Sequence, residues 1–299
     1  MISICIPVYN CDVRKLVHDL DTQARELLID YEILLIDDES AEDYKEKNRE
    51  LASFENVKYK ELPANIGRSA IRNMLANEAK YRYLIFMDCD AGIYSDKYIY
   101  RYAVCCSPDV VCCGGRINLP APAAPEYLLR WKYSINREEI DATTRELNPN
   151  DSFLTFNFLI DKEIFNTIHF DETIQGYGHE DTLFGIALKK NDIQIMHIDN
   201  PLLHVELDDN ITFIEKTENG IRNLIKIQEK FEDREAFTNS VRLLKTENRL
   251  SSFYLHPVVS LFFKLFGKSL LKNLKGNHPS LLFFDLYKLG YLCSIRPKK

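Results

Sequence analysis

The chain has 299 residues, of which 45% are hydrophobic and 28% are charged, a composition typical of globular proteins. Its net charge of −7 at pH 7 argues against a general nucleic-acid-binding protein, which needs a basic surface. The eight cysteines include no Cys-x-x-Cys pair. We therefore expect buried thiols in a reducing compartment rather than disulfides or a zinc site.

The first half of the chain alternates strand-like and helix-like segments. Continuous apolar runs predict strands at residues 2–8, 31–36, 57–61, 83–87 and 109–113. The segments between them predict helices at residues 12–28, 41–52, 65–80 and 95–106. This alternation predicts an α/β fold with a mainly parallel, doubly wound sheet that is covered on both faces.

The second half of the chain is less regular. The proline-rich segment 120–125 interrupts the alternation and predicts an irregular connection. Further strands are predicted at residues 153–160 and 193–198, and further helices at residues 126–139, 179–190 and 213–231. After residue 250 the chain carries eight Lys or Arg residues and one acid. This contrast with the acidic remainder indicates a surface-seeking C-terminal region.

Polar residues follow three of the predicted strands. Pro7 and Tyr9 end the first strand, Asp38 follows the second, and Asp88 and Asp90 follow the fourth. In open α/β sheets, ligands bind beyond the carboxyl ends of the strands. Carboxylates suit Mg²⁺ or Mn²⁺, which often take further ligands from substrate phosphates. The pattern predicts a metal–diphosphate site, with ordinary turn aspartates or a metal-free acidic rim as the alternatives.

The segment from Asn65 to residue 73 supplies the opposite charge. Arg68 and Arg72 are four residues apart at a predicted helix start, so they share a face of the helix. Gly67 allows close backbone approach, and a helix N-terminus with arginine suits a nucleotide or phosphate. A solvated helix face is the alternative interpretation.

The segment 176–181, Gly-Tyr-Gly-His-Glu-Asp, places two acids at the start of a predicted helix. A carboxylate there can act as a general base toward an acceptor hydroxyl, or the acids can simply favour the helix dipole. Tyr177 and Trp131 are candidates for stacking on a sugar, with ordinary packing as the alternative. His204 ends a late apolar stretch, and a lone histidine is more often structural than a ligand.

Taken in order, these motifs resemble glycosyltransferase family 2. The resemblance covers about residues 1–210 and rests on residues 6–10, 36–40, 65–72, 88–90, 176–181 and 204. Glu39 stands where the family frequently has glycine, and the 178–181 spacing is compact, but neither difference removes a needed carboxylate. The resemblance implies the GT-A fold and inverting transfer of a sugar from a nucleoside-diphosphate sugar.

The resemblance also implies roles for individual residues. Donor-nucleotide contacts are expected from Pro7, Tyr9, Asp38, Asn65, Gly67, Arg68, Arg72 and Asp88. A Mn²⁺ or Mg²⁺ ion is expected at Asp90 and His204, with Asp88 in or near its coordination shell. Catalysis is expected from Asp181 as the base together with Glu180. Acceptor contacts are expected from Glu180, Tyr177, Gly178 and Trp131.

The enzyme so implied transfers a hexosyl or N-acetylhexosaminyl group, from a UDP-sugar in preference to a GDP-sugar. Its acceptor is a hydroxyl of a glycan or lipid-linked glycan in surface polysaccharide synthesis. The catalytic domain is predicted over residues 1–210, with a nucleotide-binding half at 1–115 and an acceptor half at 116–210. A catalytically silent nucleotide-sugar-binding protein or membrane scaffold is the alternative from another class.

Residues 211–299 are predicted to form a helical C-terminal region. Within residues 256–275 an apolar stripe is formed by Val259, Phe262, Phe263, Phe266, Leu270 and Leu274. The lysines fall largely elsewhere, which predicts a helix on an anionic membrane surface; packing on the catalytic domain or in a dimer is the alternative. The sequence shows neither a signal peptide nor a bilayer-spanning run. We therefore expect a cytoplasmic protein, peripheral on the inner face of the cell membrane.

Overall fold

The structure is a computed structural model that describes residues 1–174 and 178–296. In these ranges the strands are β1 Ile2–Val8, β2 Tyr31–Asp37, β3 Val57–Glu61, β4 Tyr83–Met87, β5 Ala91–Ile93, β6 Val111–Cys113, β7 Arg116–Asn118, β8 Asn157–Asp161, β9 Met196–His197 and β10 Leu202–His204. The helices are α1 Arg14–Glu26, α2 Glu42–Asn48, α3 Arg68–Glu78, α4 Tyr98–Ala103, α5 Leu128–Tyr133, α6 Ala142–Glu146, α7 Lys162–Thr167, α8 Glu180–Lys190, α9 Asn210–Lys230, α10 Arg234–Ser240, α11 Arg242–Ser252, α12 His256–Leu274 and α13 Leu281–Ile295. The eight cysteines are free thiols.

The larger sheet has the strand order β3-β2-β1-β4-β8-β6-β9. The first four strands in this order are mutually parallel, and β9 is parallel to β6. Alternate residues of β1 pack into two separate cores, with Ile4 and Ile6 in one and Cys5 in the other. Because both faces are covered, the strands read as continuous apolar runs. The predicted α/β fold with a mainly parallel sheet and a helical C-terminal region is confirmed.

Strand β8 runs antiparallel to both of its neighbours, β4 and β6. All of its residues are buried, so its apolar run looks the same in sequence for either direction. A long connection separates it from β7, and no short crossover therefore fixes its direction. The direction of β8 is a structural result that the sequence pattern left open.

A second, three-stranded sheet has the order β5-β10-β7. Strand β10 is antiparallel to β5, and this ladder pairs His204 with Ala91. Since Ala91 directly follows Asp90 in the chain, the pairing places His204 beside Asp90. Each of these strands is three residues long, which is too short for hydrophobic periodicity to reveal.

The chain divides into two units. Unit 1 comprises Met1–Asn118, Glu139–Thr173 and Leu183–Glu206, and unit 2 comprises Leu119–Glu138, Ile174–Thr182 and Leu207–Lys299. Unit 1 contains both sheets. In unit 2, helices α5, α9, α12 and α13 share one hydrophobic core that includes Leu129, Phe213, Leu270, Leu274 and Phe284. The functional domain boundaries proposed at residues 115 and 210 stay predictions.

Candidate active site

The carboxyl ends of β1, β2 and β4 lie side by side in unit 1. Strand β1 is parallel to β2 on one side, in register through Val8 and Asp37, and to β4 on the other side. The segments that begin at Tyr9, Asp38 and Asp88 therefore leave the sheet at the same edge. The structure thus brings together three of the segments that the sequence singled out for donor binding.

Side-chain hydrogen bonds join the loops after β1 and β2. The Asn10 backbone N–H donates to Ser40 Oγ over 2.7 Å, and Asn10 Oδ1 accepts from the Ala41 N–H over 2.7 Å. Tyr9 is 54% exposed on this tied loop, and Pro7 is partly exposed. An exposed aromatic ring on a fixed backbone can stack on a nucleobase, and that contact stays a prediction for Tyr9.

The Asp38 carboxylate holds the loop that precedes α3. Its Oδ1 accepts from the Ile66 N–H over 2.7 Å, and its Oδ2 accepts from the Gly67 N–H over 3.0 Å. The Asn65 side-chain amide donates to the Asp38 carbonyl oxygen over 2.9 Å. Burial raises the pKa of the Asp38 carboxyl, against the opposing effect of the two N–H donors. Each carboxylate oxygen accepts more than one hydrogen bond, so Asp38 can hold this loop and still receive a ligand N–H.

Glu39 adopts a φ of +69°, in the left-handed region that favours glycine. A glycine would therefore suit the backbone at this position. The glutamate adds a side-chain contact, because its Oε2 accepts from the Asn65 N–H over 2.9 Å. The same loop is thus held by two successive acids, Asp38 and Glu39.

Gly67 precedes α3 with φ +85° and ψ 167°, a conformation that is essentially restricted to glycine. A Cβ there would meet no atom within 4 Å, so the cost of Gly67→Ala comes from the backbone alone. We expect a loss of about 1–3 kcal/mol in the free energy of unfolding, measured by urea denaturation. Ala64→Ser, at an exposed position of the same loop, is the control; equal stability of both variants would contradict the assigned conformation.

Arg68 and Arg72 lie on the same helix but in different surroundings. Arg68 is exposed, whereas Arg72 is 2% exposed and its Nη2 lies 2.7 Å from Asp88 Oδ1. The Arg72 guanidinium also packs over the Phe170 ring at 5.6 Å. A buried guanidinium needs such a partner. Arg72 therefore orients Asp88 from the buried side. Of these two arginines, Arg68 is the one open to direct contact with a nucleotide.

Asp90 and His204 form the next pair along this edge. His204 Nε2 lies 3.1 Å from Asp90 Oδ2. Burial raises the pKa of Asp90, but the hydrogen bond and charge of His204, with the charges of Arg116 and Arg68, outweigh it and hold that pKa below its usual value. In the part of the chain that the structure describes, the buried atoms Asp90 Oδ1 and His204 Nδ1 have no hydrogen-bond partner.

This pair fits a divalent cation. A carboxylate oxygen without a partner, next to an imidazole, offers the ligand types that Mn²⁺ accepts, and the carboxylate also suits Mg²⁺. Across residues 1–174 and 178–296, no group of three or more His, Cys, Asp or Glu side chains is arranged to hold a metal ion. Asp90 and His204 would therefore share the ion with substrate phosphates and water, as is usual for Mg²⁺ sites.

Two residues near this pair were not identified from the sequence. The Arg116 guanidinium lies 4.9 Å from the centre of the Phe156 ring, and the Phe156 ring lies 5.4 Å from the His204 ring. Arg116 belongs to the three-residue strand β7, which carries no periodic signal. Its only sequence signal is its position directly after two glycines at the end of β6.

The predicted catalytic acids begin α8, in the part of that helix that belongs to unit 2. Glu180 is 6% exposed, whereas Asp181 is partly exposed and its Oδ1 accepts from the Thr182 N–H over 2.7 Å. Of the two acids, Asp181 is therefore the one that a substrate can reach. Gly178 has φ +90°, and its carbonyl accepts from Asn223 Nδ2 over 3.4 Å.

The remaining predicted acceptor contacts are Trp131 and Tyr177. Trp131 is partly exposed, and its Nε1 donates to the Leu119 carbonyl over 2.8 Å. The indole N–H thus holds the start of the proline-rich connection in unit 2. Tyr177 lies outside the described residues. The acceptor contacts of both residues stay predictions.

The chain is similar to several known proteins. The family model described as "Glycosyl transferase family 2" matches residues 3–168. Chondroitin synthase of Escherichia coli is 33% identical over 90 residues, which is 30% of this chain. The chain spans only 13% of the length of that protein.

Several solved structures share this fold. A structure of residues 1–349 of S. aureus TarS has a TM-score of 0.51 at 17% identity, covering 96% of this chain and 89% of that one; the same fragment was also solved with UDP-GlcNAc. The mannosyltransferase PcManGT from Pyrobaculum calidifontis, in complex with GDP-Man and Mn²⁺, has a TM-score of 0.57 at 11% identity, covering 98% of this chain and 85% of that one. At these identities the likeness establishes the fold, and it confirms the GT-A expectation.

Proposed function

The chain belongs to glycosyltransferase family 2, and we propose that it is a metal-dependent, inverting transferase that uses a nucleoside-diphosphate sugar, with UDP-sugar favoured over GDP-sugar. The acceptor we propose is a hydroxyl of a glycan or lipid-linked glycan in surface polysaccharide synthesis. That the chain is a glycosyltransferase follows from its family. The metal, the donor and the acceptor are the proposal.

The observation that carries the proposal is the Asp90–His204 pair. It stands at the end of β4, beside the loops of Tyr9 and Asp38, and it leaves a buried carboxylate oxygen without a partner. Asp88, held by Arg72, is two residues away. A cation at Asp90 and His204, when bound, neutralises charge that develops on the leaving nucleoside diphosphate.

The residues of unit 1 bind and orient the donor in this proposal. Tyr9 and Pro7 lie against the nucleobase, and the Asp38 carboxylate accepts its imide N–H. Arg68, exposed at the start of α3, contacts the diphosphate, where a helix N-terminus favours negative charge. The loops that carry these groups are held by the hydrogen bonds of Asn10 and Asp38, so little ordering is needed when the donor binds.

Asp181 is the proposed general base. It accepts the proton of the acceptor hydroxyl as that oxygen forms its bond to the anomeric carbon. The bond from that carbon to the diphosphate oxygen breaks on the opposite side, so one displacement inverts the configuration. Gly178, Tyr177 and Trp131 are proposed to contact the acceptor. The buried Glu180 is proposed to help position it indirectly, through the neighbouring residues at the start of α8.

Two similarities support the choice of substrates. The TarS fragment was solved with UDP-GlcNAc, and PcManGT was solved with GDP-Man and Mn²⁺, so both nucleotide classes occur on this fold. The local match to a protein named chondroitin synthase supports a polysaccharide product, since chondroitin is a polysaccharide. We favour UDP because the TarS fragment was solved with UDP-GlcNAc and also with UDP.

The test is the melting temperature of the full chain with UDP or GDP, each with Mn²⁺ and with EDTA. A ligand that binds only the folded protein at a hundredfold excess over its Kd adds about 2.7 kcal/mol of stability, which raises the melting temperature by several degrees. We expect this shift with UDP and Mn²⁺ together. The control is uridine with Mn²⁺, which lacks the diphosphate and should give a much smaller shift.

The other outcomes discriminate among the parts of the proposal. A metal-dependent shift with GDP alone would keep the enzyme and change the donor class. An equal shift with and without Mn²⁺ would remove the metal from the proposal. Donor binding without any turnover over a panel of glycan acceptors would favour a nucleotide-sugar-binding protein.

A further inference from the structure

Helix α12 of unit 2 has two apolar faces, and only one of them is buried. Phe263, Leu270 and Leu274 pack into the core that α12 shares with α5, α9 and α13. The contact with α13 is close, because a Cβ at Gly290 would lie 2.5 Å from the Phe263 ring. The sequence predicted that one apolar stripe of this helix would form a single exposed surface. That prediction is wrong, because half of the stripe is buried in the core of unit 2.

The second face of α12 is exposed. Together with Tyr254, which precedes the helix, it forms what we call the apolar ridge: Tyr254, Val258, Leu261, Phe262, Leu265 and Phe266. Exposed fractions of 60% for Val258, 57% for Leu261 and 65% for Leu265 show that the ridge is open along two turns. Contiguous exposed apolar surface of this kind marks an interaction site.

The ridge begins at a sharp bend. No single helix in residues 1–174 and 178–296 has the length and hydropathy of a bilayer span; α11 and α12 reach them only together, with an angle of 116° between them. Tyr254 lies at this bend, is 89% exposed and has a φ of +57°, which is uncommon for a bulky residue. A tyrosine held outward in this way suits the boundary between headgroups and acyl chains.

Lysines line the edge of the ridge. Lys264, Lys268, Lys272 and Lys275 are all exposed, and α12 contains no acidic residue. Lys268 follows Leu261, and Lys272 follows Leu265, by seven residues, which returns to the same side of the helix after two turns. Within the described part of the chain, none of the four lysines has an acidic partner within ion-pair distance.

We propose that the apolar ridge and these lysines bind the surface of an anionic lipid bilayer, with α12 lying parallel to it. The apolar side chains enter the boundary region, and the lysines meet the lipid phosphates. A second copy of the chain is a poorer occupant, because an isologous contact would bring the same lysines together. This proposal is independent of the donor, the metal and the acceptor.

The test is flotation of the full chain with vesicles of phosphatidylcholine alone or mixed with phosphatidylglycerol. Deleting residues 251–299 would be a poor test, because it removes Leu270, Leu274 and Phe284 from the core of unit 2. One variant combines Lys264→Gln, Lys268→Gln and Lys272→Gln, and the second combines Leu261→Gln and Leu265→Gln. All of these positions are exposed, so both variants should keep the wild-type melting temperature.

We expect binding only to the anionic vesicles, with weaker binding at high salt. Each lysine near the anionic surface should raise the partition coefficient about fivefold, so the triple variant should lower it about a hundredfold. The leucine variant should lower it at least tenfold. The matched control combines Ile211→Gln and Lys226→Gln, both exposed on α9 of the same unit, and should bind as the wild type does.

Three results would overturn the proposal. The first is equal binding to neutral and anionic vesicles. The second is an equal loss of binding in the control on α9. The third is a dimer in light scattering that the leucine variant dissociates, because the ridge would then be covered by a second copy of the chain.

Discussion

Replacing Asp90 with asparagine should lower the rate of sugar transfer by about 10²- to 10³-fold at saturating Mn²⁺. Charge stabilisation by a bound metal is worth several kcal/mol, and each 1.4 kcal/mol corresponds to a factor of ten in rate. Asparagine keeps the shape of the side chain and one oxygen toward His204, whose Nε2 lies 3.1 Å from the carboxylate. It removes the negative charge that the cation requires. The measurement is initial rate against Mn²⁺ concentration, together with the Mn²⁺-dependent shift in melting temperature with UDP.

Asp96→Asn is the matched control for this substitution. Asp96 is an exposed carboxylate six residues further along the chain and has no role in the proposed site. It should retain the wild-type rate and the wild-type Mn²⁺ dependence. If Asp90→Asn keeps full stimulation by Mn²⁺, then Asp90 does not hold the ion, even though the chain remains a glycosyltransferase by family.

The sequence predicted which polar residues end the strands at one edge of the sheet, for a physical reason. Strands buried on both faces must be continuously apolar, so β1, β2 and β4 stand out, and the polar residues at their ends are easy to see. Tyr9, Asp38 and Asp88 were accordingly found at one edge. The direction of β8 was not predictable, because an apolar run carries no sign of direction.

The contact between Asp90 and His204 could not be derived from spacing. It depends on the ladder between β5 and β10, two strands of three residues that come from distant parts of the chain. Only the family resemblance drew attention to His204. Arg116 belongs to the third strand of the same sheet, and it was missed for the same reason.

The sequence also did not predict which residues of a helix are buried and which are exposed. Arg68 and Arg72 are equivalent by spacing, yet the first is exposed and the second is buried against Asp88. On α12, periodicity placed core residues and two residues of the exposed ridge in one stripe, and it missed the other apolar residues of the ridge. Such differences arise from tertiary packing, and a single helix has no local signal for them.

Replacing Asp181 with asparagine should lower transfer by about 10²- to 10⁴-fold, the usual contribution of a general base. The affinity for the donor should be nearly unchanged, because the residues proposed to bind the nucleotide lie elsewhere in the sequence. Asp181 is partly exposed at the start of α8, whereas the adjacent Glu180 is 6% exposed. The measurements are single-turnover rates at saturating acceptor and the dissociation constant of UDP.

The alternative role for Asp181 is a purely structural one at a helix N-terminus, and Asp209→Asn provides the matched control for it. Asp209 caps α9 of the same unit by accepting from the Ile211 and Thr212 N–H groups. Asparagine is nearly as good a cap as aspartate, so this variant should lose little stability and no activity. If Asp181→Asn behaves in the same way, Asp181 has only a structural role. If it loses donor affinity together with activity, the residue contacts the donor and the base must be sought elsewhere. Only a large loss of rate with intact UDP binding is the result expected of a base.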